Sequence, residues 1–221
     1  MKKICFILAF SGLYSFCRSQ VPVSKEPRHH NILENGHIRL LDVHIPPGDT
    51  TQIHIHSTPS IFVILTNKVK VGSQVISEEK RARLNPADDE NIWFEGFYKQ
   101  PRIHRVWNSD ISEYHVMDIE LTNTKFIAID SPIRQKAFTL LFDEDPVRAY
   151  RLSLANVLKI PITERKADIL VIRLTDSKNN IHINGKSLLK MGDYIYIPSG
   201  KPFEIINGED GKDEFGFFEL K

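Results

Sequence analysis

Residues 48–56 read Gly48-Asp-Thr-Thr-Gln-Ile-His54-Ile-His56, directly after Pro46-Pro47. The Pro-Pro-Gly run marks a turn, and beyond it apolar and polar side chains alternate. Successive side chains of a strand point to opposite faces. His54 and His56 therefore share one face, and Gln52 extends that face by one step. Ile53 and Ile55 take the other face, suited to packing against a neighbouring sheet. An apolar run, Ile61-Phe-Val-Ile-Leu65, comes next, and a third histidine stands far away in His104-Arg-Val-Trp-Asn108.

Working outward, strand signals dominate. His37–Ile45, Thr51–His56, Ile61–Thr66, Val69–Ile76, Ile103–Val106 and Tyr114–Leu121 are short and rich in Val, Ile and aromatic residues. The pattern resumes in Phe138–Phe142, Ala149–Ala155, Ile169–Thr175, Ile181–Ile183, Tyr194–Ile197, Phe203–Ile206 and Glu214–Leu220. Long helical periodicity is absent, and a short helical piece is expected at most over Asp145–Leu158. Many short strands parted by Pro, Gly, Asn and Asp predict a sandwich or barrel.

The halves echo each other. Ser60-Ile-Phe-Val-Ile-Leu-Thr66 aligns without gaps on Ile169-Leu-Val-Ile-Arg-Leu-Thr175, and Ile38-Arg39-Leu40 echoes Tyr150-Arg151-Leu152. An internal duplication explains this. Its boundary falls near Asp130-Ser131-Pro132, giving units of 20–130 and 131–221.

On these residues the sequence resembles the cupin superfamily, as a two-domain bicupin. Gly48, His54 and His56 fit the family's first motif, a glycine followed after five residues by His-x-His. His104 and Asn108 fit the His-x-x-x-Asn that ends the second. In the second half, Gly192-Asp-Tyr-Ile-Tyr-Ile-Pro198-Ser-Gly200-Lys-Pro-Phe203-Glu-Ile-Ile-Asn207 keeps the spacing of the second motif with Phe203 for histidine. The gap-free alignment sets Thr163 and Arg165 against His54 and His56. The resemblance covers residues 35–220. It implies an all-β fold of two tandem jelly-roll (cupin) β-barrels, the second degenerate and without ligands.

Three neutral imidazoles converging in a barrel bind a divalent transition metal well. The resemblance implies iron, manganese, nickel or zinc on His54, His56 and His104, and does not choose among them. The family's glutamate ligand would fall at Ser60 or Ile61, which do not replace it; Gln52 is the remaining candidate, as a weak amide ligand. A metal-dependent enzyme of oxygenase or isomerase type, acting on a small oxygen-rich molecule, is one implication. A non-catalytic small-molecule or metal-binding module is the other.

Other residues carry less. His44 and His115 read as hydrogen-bonded structural histidines, His29 and His30 as solvated, and His37 and His182 as strand starts. Trp93, Phe94, Phe97 and Tyr98 read as core or interdomain packing, with a pocket mouth as the alternative. Asn108 is expected to secure a turn. Arg39 and Arg105 would serve an anionic substrate or, by default, lie at the surface. No nucleophile elbow, Walker loop, dinucleotide fingerprint or H-E-x-x-H occurs.

Residues 1–19 have the layout of a secretory signal peptide: Lys2-Lys3, an apolar Ile4–Phe16, then Cys17-Arg18-Ser19. Cleavage after Ser19 would leave Gln20 first and an exported chain. Lipidation at Cys17 is the competing reading, opposed by bulky Phe16. Both cysteines lie in this segment, so the mature chain would have no thiol and no thiol catalysis. Loss of Lys2, Lys3 and Arg18 would move the formal charge from +1 to −2. The charged run Glu78–Arg83 is nearly balanced, and no nucleic-acid partner is indicated. The expected partner is a small molecule, with no membrane span, and a homo-oligomer is compatible.

Overall fold

The structure, a computed structural model, describes residues 20–66, 68–76, 81–84, 91–155, 159–176, 178, 180–208 and 212–221. The signal-like segment 1–19 and residues 78–80 of the charged run Glu78–Arg83 lie outside them. Every regular element among the described residues is a strand except one 3-10 turn, Val23–Lys25. None is a helix long and apolar enough to cross a membrane.

The first ten strands are β1 (Val21–Pro22), β2 (His29–Glu34), β3 (Ile38–Ile45), β4 (His54–His56), β5 (Ser60–Ile64), β6 (Val71–Val75), β7 (Arg81–Leu84), β8 (Ile92–Glu95), β9 (Arg102–Asn108) and β10 (Tyr114–Leu121). They form two sheets, ordered β1-β4-β9-β6-β7 and β2-β3-β10-β5-β8. The next nine are β11 (Phe138–Glu144), β12 (Val147–Ser153), β13 (Lys159–Ile162), β14 (Asp168–Arg173), β15 (Ile181–Ile183), β16 (Lys186–Leu188), β17 (Tyr194–Ile197), β18 (Phe203–Asn207) and β19 (Glu214–Leu220). Their sheets run β13-β18-β15-β16 and β11-β12-β19-β14-β17. Strand for strand the second pair repeats the first, lacking, among the described residues, only an equivalent of β1. The chain is two jelly rolls in tandem.

Three apolar clusters arise from the two-residue period. Leu41, Val43, Ile45, Val71, Val106 and Val116 fill the first roll. Tyr150, Leu152, Ile162, Val171, Phe203 and Phe217 fill the second. The third cluster joins them: Leu40, Ile61, Val63, Met117 and Ile119 from the first roll meet Ala149, Leu170, Ile172 and Phe218 from the second. Strands β10 and β19 are thus buried on both faces, and apolar side chains occur at adjacent positions in each, Val116-Met117 and Phe217-Phe218. Gly216 lies on the joining face. A Cβ there would sit 2.8 Å from the Phe218 ring and 3.4 Å from Ile92 of the first roll.

Two sequence expectations are corrected. Asp145–Leu158 holds no helix among its described residues; Val147–Ser153 is strand β12, because Val147, Ala149, Tyr150 and Leu152 must serve two cores at alternate positions. Register also moves the alignment of the first motif by one residue. His54 pairs with His104 on β4 and β9, whereas Phe203 pairs with Ile162 on β13 and β18. Ile162 therefore stands where His54 stands, and Thr163 is exposed.

Candidate metal centre

Strand β4 turns His54 and His56 into the first roll, as the alternation dictates, and antiparallel β9 brings His104 opposite His54. All three are buried, and each offers a nitrogen within 4.8 Å of the others. Ring centroids lie 4.6–5.0 Å apart at steep interplanar angles, so edges rather than faces converge.

Local contacts orient the rings. His54 Nδ1–H donates to the Gln52 carbonyl at 2.9 Å, leaving Nε2 with the lone pair. His104 Nδ1 sits 3.0 Å from Ser73 Oγ, and its buried Nε2 has no hydrogen-bond partner. His56 Nδ1 faces Asp118 Oδ2 at 3.5 Å. Burial, reinforced by the neighbouring histidines, pushes every ring toward its neutral, metal-competent form. His54 falls to about 4, His104 to about 2 and His56 well below the usual value. Burial raises Asp118 well above the carboxylate range, and nearby Glu120 adds to the effect.

The histidines line a cavity of about 710 Å³, which Phe62, Trp93, Phe94, Phe97 and Tyr98 wall on the aromatic side. Phe97, at φ +50°, lies over His56 with centroids 5.6 Å apart, and the Arg102 guanidinium sits 5.5 Å above Phe97. The aromatic stretch thus serves both roles considered for it, since Phe94 also packs into the joint between the rolls.

Several expectations change here. Gln52 is exposed, its side chain outside the cavity, because β4 begins only at His54 and the alternation does not reach back to it; Thr51 is the buried residue there. Gln52 acts instead through its backbone. His29 is not solvated. It is buried, lines the cavity with its centroid 5.0 Å from His54, and holds Glu26 Oε2 through Nδ1 at 2.7 Å. Burial alone would raise Glu26, but bonds from His29, Gln52 N and Arg28 N hold it at about 2. His30 is exposed as expected. The sequence gives no signal for Glu26–His29, since what places it is the parallel pairing of β1 with β4.

Arg39 is committed to Glu34 and Glu120, and Arg105 to Gln74; neither lines the cavity, whereas the overlooked Arg102 does. Asn108 secures its turn, donating to the carbonyls of Ile45 and Ser112 and accepting from Asp110 N. His44 and His115 are hydrogen-bonded, His115 Nε2 to Asp42 at 2.6 Å and His44 Nδ1 to Glu113 at 2.8 Å. With Asp42 they form a second, half-buried donor cluster.

No family model matches the chain, and no curated protein does. Solved structures do. AerE from Microcystis aeruginosa is 13% identical with a TM-score of 0.58, covering 89% of this chain and 98% of that one. A cupin 2 conserved barrel domain protein from Leptotrichia buccalis is 10% identical at 0.52, covering 86% and 87%. A salicylate 1,2-dioxygenase from Pseudaminobacter salicylatoxidans is 10% identical at 0.54, covering 84% and 71%. At such identities the likeness is one of fold, and the fold is that of the cupins, built twice.

Proposed function

We propose, on the premise that the chain is a bicupin with one polar and one apolar barrel interior, that the first barrel is a divalent-metal site and the centre of a small-molecule enzyme. The observation that carries this is the convergence of three buried imidazoles on a cavity, with His104 Nε2 buried and unpartnered. These residues fit iron, manganese, nickel or zinc. Such an ion would supply Lewis acidity to a bound oxygen atom, with one-electron chemistry in addition if it were iron or manganese.

The chain's own residues supply the other functions. The cavity has the size of ordinary small-molecule sites. Its aromatic wall favours a flat, partly apolar molecule over the sugar-like one that a purely polar site would suit. Arg102 stands on the wall for an anionic group. Glu26 fixes His29 with Nδ1–H donated, so His29 can take up or return a proton at Nε2. One of the similar structures is a salicylate dioxygenase, and a small aromatic acid is the substrate class to try first.

A non-catalytic binding role is the second reading. The observation favouring it is Ser60, fully buried where the family has a glutamate ligand. Metal analysis of protein purified without added metal, together with dioxygen consumption on aromatic acids, diketones and sugar acids, separates the two. Metal lost in His104→Ala, with turnover of at least one compound, supports the enzyme. Bound metal and ligand-induced thermal shifts without turnover support the module. Equal metal in wild type and His104→Ala removes the site.

The reading includes export, which rests on the signal-like segment 1–19. An N-terminus at Gln20 in secreted or periplasmic fractions supports it; an intact Met1 in the cytoplasm overturns it.

A further inference from the structure

Asp118 is a buried acidic residue in the first barrel that the histidine site does not explain. It is 1% exposed, and neither carboxyl oxygen meets a donor with hydrogen-bond geometry, the neighbouring Ser60 hydroxyl donating to the Thr58 carbonyl instead. A buried carboxylate without partners demands an explanation. It points into the cavity from β10, and its Oδ2 lies 3.5 Å from Nδ1 of His56, an atom that is itself buried and unpartnered.

The second barrel supplies an internal control. Asp118 pairs with Phe62 on β5, and Phe62 aligns with Val171 on β14, whose partner on β19 is Phe217. Phe217 thus stands where Asp118 stands. Ser73, the partner of His104, pairs with Val106; its counterpart by the same reasoning is Ile183, paired with Ile205. The second barrel has therefore exchanged His54 for Ile162, His104 for Phe203, Ser73 for Ile183 and Asp118 for Phe217. These residues pack as one apolar cluster. By contrast Glu120, two residues on, keeps a buried glutamate counterpart in Glu219, and both are paired with arginine. Asp118 goes with the imidazoles, and Glu120 stays with the fold.

We propose that Asp118 is the positioning carboxyl group of the metal centre: it holds His56 through Nδ1–H and so presents Nε2 as the ligand atom. A carboxylate behind a metal-bound imidazole fixes its tautomer and raises its basicity. The inference rests on the metal-site reading above.

The test is zinc affinity by chelator competition on the mature chain, with Asp118→Asn and Asp118→Leu. Both variants are expected to bind zinc about 10- to 100-fold more weakly. Their metal-free forms should melt no lower than wild type, since a costly buried carboxyl group is gone. Long-range proton–nitrogen NMR of the zinc-loaded wild type should show His56 protonated at Nδ1, with that signal moved or lost in Asp118→Asn; a merely structural residue would leave it in place. Unchanged affinity and an unchanged His56 signal in either folded variant sink the inference alone. A wild type that binds no zinc sinks the metal-site reading and the inference with it.

Discussion

The two barrels share strand order, and both carry a buried asparagine that donates to a carbonyl at the C-terminal end of the matching strand: Asn108 to Ile45, the last residue of β3, and Asn207 to Leu154, just beyond β12. They differ inside. The first spends its interior on three imidazoles and an unpaired carboxylate; the second packs Phe203, Phe217, Tyr150 and Phe138 ring against ring. The difference teaches that the jelly roll is specified by its rim, turns and outward faces, and that the interior is free to serve stability or chemistry. Buried polar groups cost free energy unless partnered, so the apolar barrel should be the firmer half.

Phe217→Ala would break that half most. A fully buried phenylalanine truncated to alanine costs about 3–5 kcal/mol, against little or no loss for Asp118→Asn at the matching site. Urea unfolding of the metal-free protein measures both, and equal costs would erase the contrast.

Acid should act on the first barrel alone. His54 sits at about 4 when folded against 6.5 when unfolded. Between those values the unfolded chain binds more protons, so stability falls as pH drops from 6.5 toward 4, by on the order of 3 kcal/mol for such a shift. Chemical denaturation of the metal-free protein across that range is the measurement. Replacing His54 by Ile and His104 by Phe, as in the second barrel, should flatten the profile; an unaltered slope would place the acid sensitivity elsewhere.

The shared asparagines sharpen the comparison from the other side. Asn108→Ala leaves the buried carbonyl of Ile45 unsatisfied and should cost roughly 1–3 kcal/mol, with Asn207→Ala similar. A much smaller effect in one barrel would show that its rim is held by other bonds.

The smallest effect belongs to His44, on the outer face. Burial lowers its pKa, but the bond to Glu113 and the charge of Asp42 outweigh that and raise it. A raised histidine stabilises fully below the unfolded value of 6.5 and loses that contribution as pH rises through the folded value. His44→Gln should therefore lower stability at pH 6, by about 0.5 kcal/mol once solvent screening is counted, and leave it unchanged at pH 9. Paired melts at the two pH values decide it.

Much of this was legible in order along the chain. The strands of both rolls, the repeat of 60–66 in 169–175, the histidine triad and the turn-securing role of Asn108 all rest on local period and spacing, which a sequence carries directly. The one-residue error opposite His54 arose because a gap-free alignment assumes equal connections, whereas pairing of β13 with β18 sets the register. Gln52 misled because alternation was extended beyond the end of β4. His29 misled because an N-terminal arm reads as solvated until β1 is seen to pair with β4.

The sequence by itself determined an all-β duplicated chain, one half keeping imidazoles and the other keeping only the frame, since alternation and turn chemistry are properties of neighbouring residues. Only the tertiary structure decided that Glu26, Ser73, Arg102 and Asp118 stand around those imidazoles. Each arrives from a different strand or loop, and contacts between such distant segments are fixed by sheet order and register, which no local pattern encodes.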